Sequence, residues 1–143
     1  MEKLIYKYTN ICNAAARLKE SLDVFNTCQK GTVQYEMARD SVIQRFEFTF
    51  DTFWKFLRVY LIVKHGTTLE LVGSKSIFKI ALEGGILPAE QAPIYYAMID
   101  DRNKTSHTYD STLAQEIVLH IPQYWHSIDH ILQKYNSIIL ENE

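Results

Sequence analysis

Arg102, Asn103, His107 and Tyr109 fall within one polar stretch, "DDRNKTSHTYD", Asp100 to Asp110. Each residue type can do chemistry. A histidine exchanges protons near neutral pH. A guanidinium holds a phosphate through two parallel hydrogen bonds and offsets charge growing in a transition state. On a helix, Asn103 and His107 are four apart and share a face, and the long side chain of Arg102 reaches the same space. Tyr109 comes two residues after His107, at or beyond the helix end. The set suits cleavage of RNA without a metal, in which the 2′-hydroxyl attacks the neighbouring phosphate. One copy of the stretch holds one histidine. A symmetric dimer would bring two His and two Arg to one cleft. A plainer account also fits: Arg102, Lys104 and His107 complement the dipole of a helix C-terminus, and Asp110 caps the next helix.

The elements that carry this stretch are predicted to be helices. The chain has 143 residues, enough for one domain with one core, taken as residues 1–143. Only 5 glycines and 3 prolines punctuate it, too few for the turns of an all-β protein. Apolar residues at three- and four-residue steps predict a first helix from Glu2 to about Phe25 and a second from Val33 to His65, capped by Thr32 and closed by Gly66. The second helix has an apolar stripe that includes Met37, Phe46, Phe50, Phe53 and Leu57. Its opposite side carries Arg39, Asp40, Gln44, Glu47, Asp51, Lys55 and Arg58. "GTTLELVG" reads as a loop or short extended piece. Ser74 is a predicted N-cap for a short helix, Lys75 to Leu82. A fourth helix is expected from about Pro93 to Thr108, with Tyr96, Met98 or Ile99 inward. A fifth starts at Asp110, or at Thr112 with Gln115 as a capping box, and runs to about Leu140, with Pro122 as a kink or break. The expected fold is all-α: an antiparallel up-and-down four-helix bundle with an additional short helix.

Other constellations are weak. His126 and His130 share a helix face at metal-ligand spacing, but "HSIDH" lacks the glutamate of a zinc-protease helix. His65 sits at a helix C-terminus, where the dipole favours a cation. Gly84-Gly85 is not a phosphate-gripping loop. Cys12 and Cys28 suggest neither a metal pair nor a disulfide framework. No metal site and no cofactor is expected. No apolar run reaches the length of a membrane span, and the N-terminus does not read as a secretory signal, so the expected location is the cytoplasm. The net charge is −2. A constitutive nucleic-acid binder is usually strongly basic, so any RNA contact must come from a local patch.

"RNKTSHTY" resembles the signature of HEPN-domain proteins: an arginine, a polar residue next, then a histidine after a short gap. The following Thr108-Tyr109 is similar to the form found in HepT-type toxins. "QRFEFTFDTFWKFLRVYL", Gln44 to Leu61, resembles the long-helix motif of the same branch, often described as nucleotidyltransferase substrate-binding proteins. "GSKSIFKIALEGGIL" resembles its short third helix. The likeness runs roughly from Val42 to Tyr135. It implies an HEPN-like helical bundle, a homodimer, and a small nucleotidyltransferase as partner. In HepT-like systems the HEPN chain is an RNase toxin and the nucleotidyltransferase its antitoxin. Carried over, Arg102 and His107 match the catalytic pair and Asn103 the polar position. Tyr109 matches a tyrosine to which the antitoxin can transfer AMP. Such a bulky anion would occlude the cleft and repel an RNA backbone. Glu47 and Asp51 are possible supporting residues that orient His107 or pair with Arg102. The alternative for them is an exposed face salt-bridged to Lys55. The alternative for the protein is a non-catalytic substrate- or nucleotide-binding subunit of a two-component nucleotidyltransferase.

Overall fold

A computed structural model describes residues 1–66 and 73–140. Among the described residues all regular structure is helical. Five α-helices follow one another: α1 (Glu2–Thr27), α2 (Val33–His65), α3 (Ser74–Glu83), α4 (Ala92–Lys104) and α5 (Ser111–Leu140). Short 3-10 turns, Ala89–Gln91 and Thr105–His107, flank α4. The expected loop "GTTLELVG" lies largely outside the described residues.

The long helices are bounded by the predicted devices. Thr32 caps α2, its side chain accepting from the Tyr35 backbone N–H at 3.1 Å. Gly66 ends α2 with φ 63°, a left-handed conformation that costs glycine little. Asp110 caps α5, accepting from the N–H groups of Thr112 (2.9 Å) and Leu113 (3.3 Å). The alternative capping box is not used, because the Gln115 side chain donates instead to Tyr35 Oη at 2.8 Å. Helix α5 passes through Pro122 without a break. Ser74 is the first residue of α3, and Gly73 occupies the cap position with no side chain to bond.

Named contacts fix the direction of each helix. Thr49 of α2 donates to Ala14 O and Arg45 to Arg17 O, so α1 and α2 run antiparallel. Trp125 Nε1 donates to Ala15 O and Tyr8 Oη to Leu132 O, so α1 and α5 also run antiparallel. Tyr35 meets Gln115, Phe46 stacks on Tyr124, and Tyr60 meets Tyr135 edge-on. Residue numbers rise together along these three pairs, so α2 and α5 are parallel. That is the relationship expected of two non-consecutive helices in an up-and-down bundle.

One core runs between them. Phe46, Phe53 and Phe56 of α2, Phe78 of α3 and Tyr95 of α4 are almost completely buried. Each such ring contributes roughly 2–3 kcal/mol by leaving water. Phe50 and Phe78 stack at 5.7 Å, and Phe78 lies equally close to Tyr95. The short α3 thus fills the gap between α2 and α4 and sets the position of α4, which carries the motif. Three expectations fail here. Met37 is exposed, whereas Arg39, expected on the polar side, is buried. On α4 Met98 and Ile99 are buried as expected, but the buried aromatic is Tyr95, with Tyr96 exposed. The rest of the α2 stripe is buried where expected, from Val42 through Phe46, Phe50 and Phe53 to Leu57, so these are local departures.

Candidate functional site

The site is built at the C-terminal end of α4 and the turn that follows. Arg102 points at α2. Its Nε and Nη2 donate to the two oxygens of Asp51 at 3.3 and 3.1 Å, a two-point contact. Its Nη1 donates to Glu47 at 3.0 Å and to Thr105 Oγ1 at 2.9 Å. Glu47 and Asp51 are one turn apart on α2, so the two carboxylates form a ladder along one face. Burial alone would lower the pKa of Arg102. The bonds to Asp51 and the charges of Asp51 and Glu47 outweigh it, and the net shift is upward. The guanidinium stays charged at any ordinary pH. Glu47 and Asp51 therefore do not form an exposed face with Lys55, which lies over the Trp54 ring.

The α-helix ends at Lys104, and His107 belongs to a 3-10 turn instead of the α-helix expected up to Thr108. Thr105 is the reason. It is buried, and its hydroxyl turns back to Arg102 O at 2.6 Å while receiving Arg102 Nη1. A side chain that bonds the backbone of its own helix in this way competes with the helical ladder. The tighter turn changes the angular spacing, so Asn103 and His107 do not stand on one α-helical face as their separation suggests. Asn103 is exposed and its backbone carbonyl accepts from Ser106.

His107 and Tyr109 are both exposed, Tyr109 by 87%. Their rings meet edge to face with centroids 6.2 Å apart. Among the described residues the ring nitrogens of His107 have no hydrogen-bond partner within the chain. The turn after α4 thus presents an accessible imidazole and phenol, and the last turn of α4 an arginine held by two acids.

One constellation was not legible from the sequence. Asp101, next to Arg102, turns the other way, toward α5. Its carboxylate is buried and accepts from Tyr124 Oη at 2.5 Å, and it lies 2.8 Å from His120 Nδ1. Burial, then the bond to Asp101, pushes the Tyr124 phenol well above its usual range, so it remains the donor. The only sequence signal is the His120-to-Tyr124 spacing of four on α5. His126 and His130 line a groove of about 410 Å³ with Glu90 and Gln123. Among the described residues no cluster of three or more His, Cys, Asp or Glu is placed to hold a metal ion. Among the same residues no helix is long and apolar enough to cross a membrane.

The all-helical bundle is of the HEPN-like class. Residues 6–137 match the family described as nucleotidyltransferase substrate binding protein like, and the chain belongs to that HEPN-like family. It is also similar to a protein of Thermus thermophilus known from a crystal structure. The identity is 36%, the TM-score 0.73, and the match covers 87% of this chain and 97% of that one. No match was found among curated proteins.

Proposed function

We propose that the chain works as the partner of a minimal nucleotidyltransferase and that its own activity is metal-independent cleavage of RNA, as the toxin of a toxin–antitoxin pair. The observation that supports this reading is the exposed imidazole of His107, five residues after Arg102 in the turn that ends α4 and, among the described residues, without a hydrogen bond at its ring nitrogens. A group that moves protons must be accessible and have a nitrogen open to substrate. In the reaction the 2′-oxygen bonds to phosphorus and the bond to the 5′-oxygen breaks. The products are a 2′,3′-cyclic phosphate and a 5′-hydroxyl. One proton leaves the 2′-hydroxyl and one reaches the 5′-oxygen, and His107 carries one of these transfers. Arg102 faces the charge that grows on the phosphate, which takes the place of Glu47, the carboxylate held by a single bond. Two copies of the chain form the working cleft. Tyr109, fully presented at the tip, is the acceptor to which the nucleotidyltransferase adds AMP, and the added anion closes the site to RNA. The test is cleavage of a labelled RNA by the unmodified protein and by His107→Ala.

A second reading has its own observation. Arg102 makes four hydrogen bonds within the chain, against the five N–H groups a guanidinium has. Its charge is more than balanced by Glu47 and Asp51. That arrangement suits a subunit that presents a substrate to the nucleotidyltransferase without cutting RNA, in accord with the family's description. Purified protein that binds the nucleotidyltransferase, carries no modification at Tyr109 and leaves RNA intact would decide for it.

A further inference from the structure

We propose that the outer groove between α1 and α2 binds a nucleotide, with Phe48 stacking on the base and Arg17 holding the phosphate. The site lies outside the Arg102–His107 motif, and its occupancy does not depend on cleavage of RNA.

Shape comes first. The groove has a volume of about 520 Å³. Small-ligand sites run to roughly 300–1,000 Å³. Each helix supplies one stripe of side chains: Asn10, Asn13 and Arg17 from α1, Gln44 and Phe48 from α2. These residues stand three or four apart and so share a face on each helix. Ala14 and Ser41 also line the groove, and their small side chains leave room for a flat ring.

Phe48 is 58% exposed, whereas Phe46 and Phe50 beside it in sequence are buried in the core. A ring left open in a polar groove offers a face on which any base can stack. Among the described residues the side chains of Asn10, Asn13, Arg17 and Gln44 make no hydrogen bond or ion pair. Each of the three amides carries both a donor and an acceptor, as the edge of a base does.

The two arginines of the groove differ. Arg45 is engaged: its Nη1 donates to Arg17 O at 2.7 Å and lies 3.6 Å from Glu20. Arg17 is exposed and keeps its guanidinium for an anion, which it can hold by two hydrogen bonds. Acids on the same turns have other partners, Glu20 in Arg45 and both Glu47 and Asp51 in Arg102. Thr49 donates to Ala14 O, which sets the two helices in register. Arg17 then stands within about 5 Å of Phe48 along the axis. One nucleotide spans the two, its base on the ring and its phosphate at the guanidinium.

The experiment titrates the full chain with each of the four ribonucleoside 5′-monophosphates, with inorganic phosphate, and with a short single-stranded RNA methylated at its 2′-oxygens so that it cannot be cut. Backbone amide resonances locate the site, and wild type is compared with Phe48→Ala and Arg17→Ala. Both side chains are exposed, so both variants should keep the wild-type Tm. The expected result is binding with resonance changes at residues 10–17 and 41–52, weakened about 10-fold or more in each variant. Binding of a monophosphate marks a free nucleotide as the ligand, and binding of the RNA alone marks one unit of a strand; either supports the proposal. No binding of any nucleotide or of the RNA at millimolar concentration would overturn it. So would affinity within about 2-fold of wild type in Phe48→Ala, or inorganic phosphate bound as tightly as the nucleotides, since the base would then add nothing. Self-association lost in Phe48→Ala, with no nucleotide bound by the wild type, would overturn it in favour of an interface between copies of the chain.

Discussion

Arg102 and Asp51 face each other across α4 and α2 in a two-point contact, with N···O distances of 3.3 and 3.1 Å. This pair joins the motif to the long helix. It explains why an arginine that reads as a phosphate ligand stands beside two acids: the acids set its position before any substrate arrives. The same contact makes stability and function separable, because the Arg102 side chain is hydrogen-bonded within the fold and, among the described residues, the ring nitrogens of His107 are not.

Removing the pair costs stability. Arg102→Ala leaves Glu47 and Asp51 as unpaired neighbouring acids, and Asp51→Ala leaves the arginine with one carboxylate. Both groups are half-buried, so each loss is expected to be about 1–2 kcal/mol, below that of a fully buried pair. Chemical denaturation measures it. A double-mutant cycle that shows no coupling between Arg102 and Asp51 would contradict the contact.

Tyr95 makes the opposite case. Its hydroxyl is buried and, among the described residues, has no hydrogen-bond partner. A buried unpaired hydroxyl is costly. Tyr95→Phe keeps the ring against Phe78 and is expected to raise stability by about 1 kcal/mol. A lowered Tm for this variant would mean that the hydroxyl has a partner, such as an ordered water.

Alkaline pH should weaken the fold. Burial raises the pKa of Tyr8, Tyr60, Tyr95, Tyr124 and Tyr135 above the ordinary 10.0. In each the folded chain holds the neutral phenol, while the unfolded chain ionises near 10. Their contribution is therefore whole below about pH 10 and is lost as pH climbs from there toward the folded values. The slope approaches about 1.4 kcal/mol per pH unit for each group. Tm measured from about pH 8 to 11 should be level at first and fall steeply past the ordinary phenol range. A flat curve across that range would show that these phenols are not excluded from water.

The cap of α5 sets the turn that holds His107 and Tyr109. Asp110→Ala removes bonds to two N–H groups and is expected to cost about 1 kcal/mol. Because Asp110 N also donates to His107 O at 3.1 Å, the backbone at the histidine should loosen as well. Amide exchange at residues 105–113 would register it. Unchanged protection there would show that the turn holds itself.

The helices were legible because their signals are local: apolar steps of three and four, Thr32 and Asp110 as caps, and Gly66 as a stop. The motif was legible because Arg102, His107 and Tyr109 are close in sequence. Glu47 and Asp51 were visible as candidates, yet their choice between Arg102 and Lys55 depends on how α4 is rotated against α2, which no single helix records. The buried state of Arg39 was hidden for the same reason. Asp101 and His120 are 19 residues apart on different helices and meet only because α4 and α5 pack antiparallel. The end of α4 at Lys104 was missed because Thr105 carries ordinary helix-compatible chemistry until its hydroxyl finds the backbone of Arg102.

The central claim is tested most directly by incubating a labelled RNA, in EDTA, with purified wild type and His107→Ala, with folding and oligomeric state checked for both and Tyr109 shown by mass to be unmodified. His107 is exposed and unbonded, so its loss should change stability by no more than about 0.5 kcal/mol. The account predicts cleavage to a 2′,3′-cyclic phosphate by the wild type and a loss of at least about 100-fold in the variant. Equal cleavage by both proteins, or none by the wild type, would contradict it.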